Sequence, residues 1–133
     1  MSLRALIADP DEMLLATSRA YLAAEEVEVA TASNGLDCLA ALRQWKPDVL
    51  VLDPDLPWGS GMGILARMGE GDVPPVPVVI LTARPEKVLE ADIPLRDYAL
   101  LIKPLSAAAV ADILRALAES GWRGQARSGV GVA

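Results

Sequence analysis

The sequence predicts a single α/β domain, a parallel five-stranded sheet with helices on both faces. Three observations predict it. Five short apolar runs alternate with helix-patterned segments, and one run, 48–53, is apolar throughout between its terminal acids, as a strand covered on both faces would be. Turn-forming Gly, Pro, Asn and Asp fall between the elements. At 133 residues, 53% of them apolar, the chain suits one ordinary core and is too short for two.

Leu3 to Ala8 reads as a buried strand. Asp9-Pro10-Asp11-Glu12 then resembles a helix start, with Asp9 as N-cap, Pro10 at the first position and Glu12 at the third, for a helix running to about Ala24. Val27 to Ala32 partly alternates in polarity, as an edge strand does. Asn34-Gly35 turns into a second helix with Leu36, Leu39 and Ala40 on one face, ending near Trp45 before Pro47. Asp48 to Asp53 is the candidate for the sheet centre. A Pro- and Gly-rich loop, Pro54 to Gly63, leads to a short helix around Ile64 to Met68.

Val76 to Thr82 is the fourth strand, with Pro77 tolerable only near its start. Arg84 to Ala91 forms a brief helix, and Tyr98 to Ile102 is the fifth strand. Ser106 caps the last helix, where Val110, Ile113, Leu114 and Leu117 make the clearest amphipathic stripe. The domain thus spans 1–120. The stretch 121–133, with four glycines and two arginines, reads as a disordered tail or a truncated linker.

Composition excludes several functions. The formal charge of −6 repels phosphate backbones and anionic lipids, which argues against nucleic-acid or membrane binding by this chain alone. No histidine is present, which removes Ser-His-Asp and Cys-His chemistry and ordinary zinc sites. The lone Cys38 sits in a helical segment where a small buried side chain fits, and a reducing cytoplasm is the expected compartment. No apolar run is long enough for a signal or a membrane span. With Phe absent, the core must be built from Leu, Val, Ile and Ala.

The expected topology is a flavodoxin-like (βα)5 three-layer sandwich with strand order 2-1-3-4-5 and right-handed crossovers, whose sites lie at the carboxyl ends of the strands. The polar residues at those ends are Asp9, Asp53, Thr82 and Lys103. Crowded carboxylates call for a cation, and Mg²⁺ accepts one or two carboxylates together with waters and phosphate oxygens. An aspartate can attack phosphorus, a lysine can neutralise phosphoryl charge and a threonine hydroxyl can donate to a phosphoryl oxygen.

Asp9, Asp53, Thr82 and Lys103 are separated by 44, 29 and 21 residues. With Pro57 and Gly61 in the loop after Asp53, Thr82-Ala83 and Lys103-Pro104, this pattern resembles the CheY-like receiver domain of two-component response regulators over roughly Leu3 to Glu119. The resemblance implies a phosphoacceptor at Asp53 and Mg²⁺ held by Asp9, Asp53 and the backbone carbonyl of Asp55, with Asp11 close by. It further implies phosphoryl stabilisation by Thr82 and Lys103, tuning by Asp55 and Arg84, a structural Gly61 and a cis peptide at Pro104. The implied partners are a sensor histidine kinase or histidine phosphotransfer protein and a downstream effector, with a homodimer as a further option. The implied activity is not enzymatic beyond slow gain and loss of its own phosphoryl group.

Two departures stand out. Pro10 occupies the place of a second metal-ligating acid, and Leu100 the place of a switching aromatic. Pro10 keeps open a pseudo-receiver that binds partners without being phosphorylated. Leu52-Asp53-Pro54-Asp55 also imitates the Asp-x-Asp of haloacid-dehalogenase-like phosphatases, although it follows the third strand and no further acids follow Lys103-Pro104 closely. A flavin-binding domain fits less well, since Asp9-Pro10-Asp11 would repel a flavin phosphate.

Overall fold

The computed structural model describes residues 3–23, 25, 27–73, 75–91 and 98–119. Along the chain these form β1 (Leu3–Ala8), α1 (Glu12–Leu22), β2 (Val27–Ala32), α2 (Gly35–Gln44), β3 (Val49–Leu52), α3 (Gly61–Gly69), β4 (Val78–Thr82), α4 (Pro85–Glu90), β5 (Tyr98–Ile102) and α5 (Ala107–Glu119). All four strand pairings are parallel and the order is β2-β1-β3-β4-β5. The predicted fold class is therefore the one observed. The glycine-rich stretch predicted as a tail lies outside the described residues.

Strand alternation divides the core in two. Ile7, Val51 and Leu81 point to the layer formed with Leu14 of α1 and Val110 and Leu114 of α5. Leu6, Leu50 and Ile80 point to the opposite layer with Cys38 and Leu42 of α2 and Ile64 and Leu65 of α3. Every residue of β3 and β4 is buried, so both strands are sandwiched, and the exposed edges fall to β2 and β5.

Two helix details correct the sequence reading. Asp11, not Asp9, caps α1: its Oδ1 accepts from the N–H groups of Met13 and Leu14, and Pro10 stays outside the helix. The helix begins two residues later than expected because Asp9 is drawn back into the sheet edge, its N–H donating to the carbonyl of Ala32. In α2 the buried face is Gly35, Cys38 and Leu42, while Leu36 is exposed. The reason is the loop after β3, whose Pro57 carbonyl accepts from the Gly35 N–H at 2.8 Å and so turns that side of the helix inward.

Smaller shifts have local causes. Helix α3 begins at Gly61, earlier than expected, because the Ser60 hydroxyl accepts from the Gly63 N–H. Strand β4 begins at Val78, after Pro77, which lacks the N–H a ladder needs. Ser106 caps α5 as expected, accepting from the Ala109 N–H. No helix among the described residues is long and apolar enough to cross a membrane.

Candidate functional site

Parallel pairing brings the carboxyl ends of β1, β3, β4 and β5 to one edge, and the ladder continues one residue beyond each strand. The N–H of Asp53 donates to Ala8, and that of Lys103 donates to Thr82, at 2.9 and 2.8 Å. These bonds fix the backbones of the predicted site residues against one another before any side chain contributes.

The side chains then converge. Asp9 and Asp53 are almost fully buried, and Lys103 Nζ reaches both, 2.9 Å from Asp9 Oδ2 and 2.7 Å from Asp53 Oδ2. Each carboxylate spends its other oxygen on the backbone two residues on: Asp9 Oδ1 accepts from Asp11 N–H and Asp53 Oδ1 from Asp55 N–H. Thr82, fully buried at the end of β4, accepts the Arg84 N–H at 2.9 Å, which leaves its hydroxyl proton available to donate.

Electrostatics follow from this crowding. Burial is the largest influence on Asp9 and raises its pKa. The Asp11 N–H and the Lys103 ammonium oppose that rise, and the Asp53 charge adds to it. Burial alone would lower Lys103, but the hydrogen bond to Asp53, the pairing with Asp9 and the charge of both together raise it. The site therefore holds a firmly protonated ammonium between two carboxylates, one of them uncomfortable as an anion.

Asp9 Oδ2 is buried and accepts no hydrogen bond of good geometry; its relation to Lys103 is that of an ion pair at short distance. Such an oxygen has capacity for a cation, and two carboxylates with water and phosphate oxygens meet the needs of Mg²⁺. Among the described residues no group of three or more carboxylates or thiols gathers at one point, which agrees with Pro10 standing where a further acid was expected. Asp11 spends Oδ1 on capping α1.

Around this centre, Arg84 and Asp55 form a bidentate, exposed ion pair between the loops after β4 and β3. The Asp55 carboxylate is the first cause of a raised Arg84 pKa. Leu100 is half-buried against the layer of Leu50 and Ile80. Trp58 is 73% exposed. The Lys103–Pro104 peptide is cis, as the resemblance implied.

Gly61 has a steric role that its place in the motif left unexplained. A Cβ there would lie 2.5 Å from Pro54 Cα and 2.6 Å from the Asp53 carbonyl oxygen, so the start of α3 presses directly on the backbone that follows β3. Gly61→Ala is expected to lower stability by about 1–3 kcal/mol through this overlap, read as a lower urea midpoint. An unchanged midpoint would show that the loop yields freely. The sequence reading missed Gly35 in a similar role, where a Cβ would meet the Trp58 carbonyl oxygen at 2.2 Å. The Gly-Ser-Gly at 59–61 facing an Asn-Gly helix start was the available signal.

Comparisons with known proteins agree. The family model of the response regulator receiver domain matches residues 5–115. The transcriptional regulatory protein PrrA of Mycobacterium tuberculosis is 32% identical over 86% of this chain and 49% of its own length. Among solved structures, the response regulator DrrB of Thermotoga maritima aligns with a TM-score of 0.70 at 26% identity, covering 97% of this chain and 58% of that one. The chemotaxis protein CheY4 of Vibrio cholerae aligns with a TM-score of 0.69 at 23% identity, over 87% of this chain and 98% of that one, a likeness of fold. The chain spans about a third to a half of the length of the curated relatives it matches. Its fold, its cluster of carboxylates and lysine at one sheet edge and the match over most of its length place this chain in the response regulator receiver domain family.

Proposed function

We propose that this domain accepts a phosphoryl group on Asp53 from a phosphohistidine of a sensor kinase or phosphotransfer protein. The observation that carries this reading is the Lys103 ammonium lying within 3 Å of both Asp9 and Asp53 at the carboxyl ends of separate strands. An Asp53 carboxylate oxygen bonds to phosphorus as the phosphorus–nitrogen bond of the donor breaks. The donor imidazole keeps the electron pair and the product is an acyl phosphate. This chain has no histidine to act as its own donor.

Lys103 already faces the oxygen that would carry phosphorus and neutralises charge on the arriving group. The Thr82 hydroxyl has its proton free to donate to a phosphoryl oxygen. Asp9, Asp53 and the Asp55 backbone carbonyl would hold Mg²⁺, which when bound offsets phosphoryl charge. The same chemistry run slowly with water regenerates Asp53, so the domain acts as a switch rather than a turnover enzyme. A cytoplasmic location fits a partner kinase whose donor histidine faces that compartment.

The added charge is expected to draw Thr82 and Lys103 inward and to alter the face of α4, β5 and α5. There Leu89 and Ile102 are exposed, and that face would select an effector or a second copy.

The test is treatment with acetyl phosphate or beryllofluoride plus Mg²⁺, followed by mass and Trp fluorescence, in wild type and in Asp53→Asn. A mass gain of one phosphoryl group confined to wild type is the expected result. A wild type that behaves as the mutant would leave the binding-only pseudo-receiver, the reading that Pro10 favours.

Arg84 and Asp55 tune the lifetime of the product. Their exposed pair adds little to stability but spans the approach to Asp53 from the β4 side. Arg84→Ala is therefore expected to leave the melting temperature nearly unchanged while shortening the acyl phosphate lifetime roughly threefold or more, as water gains access. A lifetime equal to wild type in a mass-spectrometric decay course would remove the pair from the mechanism.

A further inference from the structure

On the α3–α4 side of the site lies a cavity of about 250 Å³ that excludes Asp9, Asp53 and Lys103 from its lining. Its walls carry Ser60, Met62, Thr82, Arg84, Lys87 and Val88, closed by Pro54 and Asp55. The donors there outnumber the acceptors. Arg84 and Asp55 satisfy one another, which leaves Lys87 as a cation with no ion-pair partner among the described residues. The hydroxyls of Ser60 and Thr82 each accept a backbone N–H, from Gly63 and Arg84, so their protons are free to donate. The lining thus has a net charge of +1 in a chain of net charge −6.

We propose that this cavity receives the carboxylate of an acidic side chain presented by a partner protein. Charge complementarity sets the sign: the lining carries a net positive charge, and its Lys87 ammonium has no ion-pair partner among the described residues. Size sets the class. About 250 Å³ is below the roughly 300–1,000 Å³ of cofactor and drug-like sites, and it holds one side chain comfortably. Its surroundings favour a polypeptide over a free acid. Met62, Val88 and Pro54 give an apolar floor for the stem of a glutamate. A small acid would leave that surface wet, whereas a peptide flanking its acid with apolar residues would bury it.

The proposal concerns the domain before phosphorylation of Asp53, when the Thr82 hydroxyl proton is not engaged by a phosphoryl oxygen. It concerns the α3–α4 side, apart from the β5 side assigned above to output.

The test uses the whole chain labelled with ¹⁵N and three probes: acetyl-Leu-Glu-Leu-amide, its Leu-Gln-Leu counterpart, and acetate. The glutamate peptide is expected to shift the amides of Ser60, Gly63 and Lys87 and to bind at least about fivefold more tightly than the glutamine peptide or acetate. Lys87→Met should weaken it by a similar factor while Lys87→Arg retains it, and Lys87 is exposed, so both variants should fold as wild type. Equal binding of the two peptides, shifts away from the lining, or no response to Lys87→Met would overturn the proposal. Acetate binding as tightly as the peptide would assign the cavity to a small free acid instead.

Discussion

Lys103→Met is expected to slow phosphoryl transfer to Asp53 from acetyl phosphate by about 100- to 1,000-fold, the usual cost of deleting one preorganised charge at a developing anion. The variant keeps the length and apolar stem of lysine and removes only the ammonium. In the resting protein that ammonium lies 2.7 Å from Asp53 Oδ2 and 2.9 Å from Asp9 Oδ2, so its loss also leaves two nearly buried carboxylates facing each other. Stability should fall, by up to about 3–5 kcal/mol if both stay ionised, and less if one of them takes up a proton. The two effects separate experimentally. Rates are compared at a temperature where circular dichroism shows both proteins folded, and a folded Lys103→Met that is phosphorylated within tenfold of the wild-type rate would refute the assigned role.

This expected result shows why the fold was more legible than the details of the site. The five strands and five helices follow from burial periodicity: β3 throughout and β4 up to Leu81 are apolar because both faces of the sheet centre are covered. Asp9, Asp53, Thr82 and Lys103 were visible because each follows or ends an apolar run, and parallel topology gathers such positions at one edge. The cap of α1 was misread because Asp9 and Asp11 both suit an N-cap and Pro10 favours a first helical position. Only the backbone bond from Asp9 to Ala32, a tertiary fact, decides between them. Leu36 was placed on the buried face for a related reason, since the loop that packs on Gly35 is more than twenty residues away in sequence. Lys87 escaped notice entirely, as an exposed lysine on a six-residue helix has no pattern that marks it as part of a cavity.

The second large effect concerns stability and its dependence on pH. Asp9→Asn removes a carboxylate that burial makes reluctant to ionise, and the amide oxygen can still accept the Asp11 N–H. The folded pKa of Asp9 lies above its ordinary 3.8, so between those two values the folded chain holds more protons than the unfolded chain. Stability of the wild type therefore falls as pH rises through that window and stays reduced above it. Below pH 3.8 the group is neutral in both states and the penalty is absent. Lys103 has the opposite sense: its raised folded pKa gives stability that is complete below its ordinary 10.5 and lost only as pH rises through the folded value, far from the window of Asp9. At pH 8, Asp9→Asn should gain on the order of 1 kcal/mol, seen as a melting temperature higher by about 4 °C, and the gain should vanish near pH 3.5. The same variant should bind Mg²⁺ more weakly, because Asp9 Oδ2 is the buried oxygen with accepting capacity to spare. A melting temperature at pH 8 equal to or below that of the wild type would mean that the ion pair with Lys103 outweighs the burial of the carboxylate.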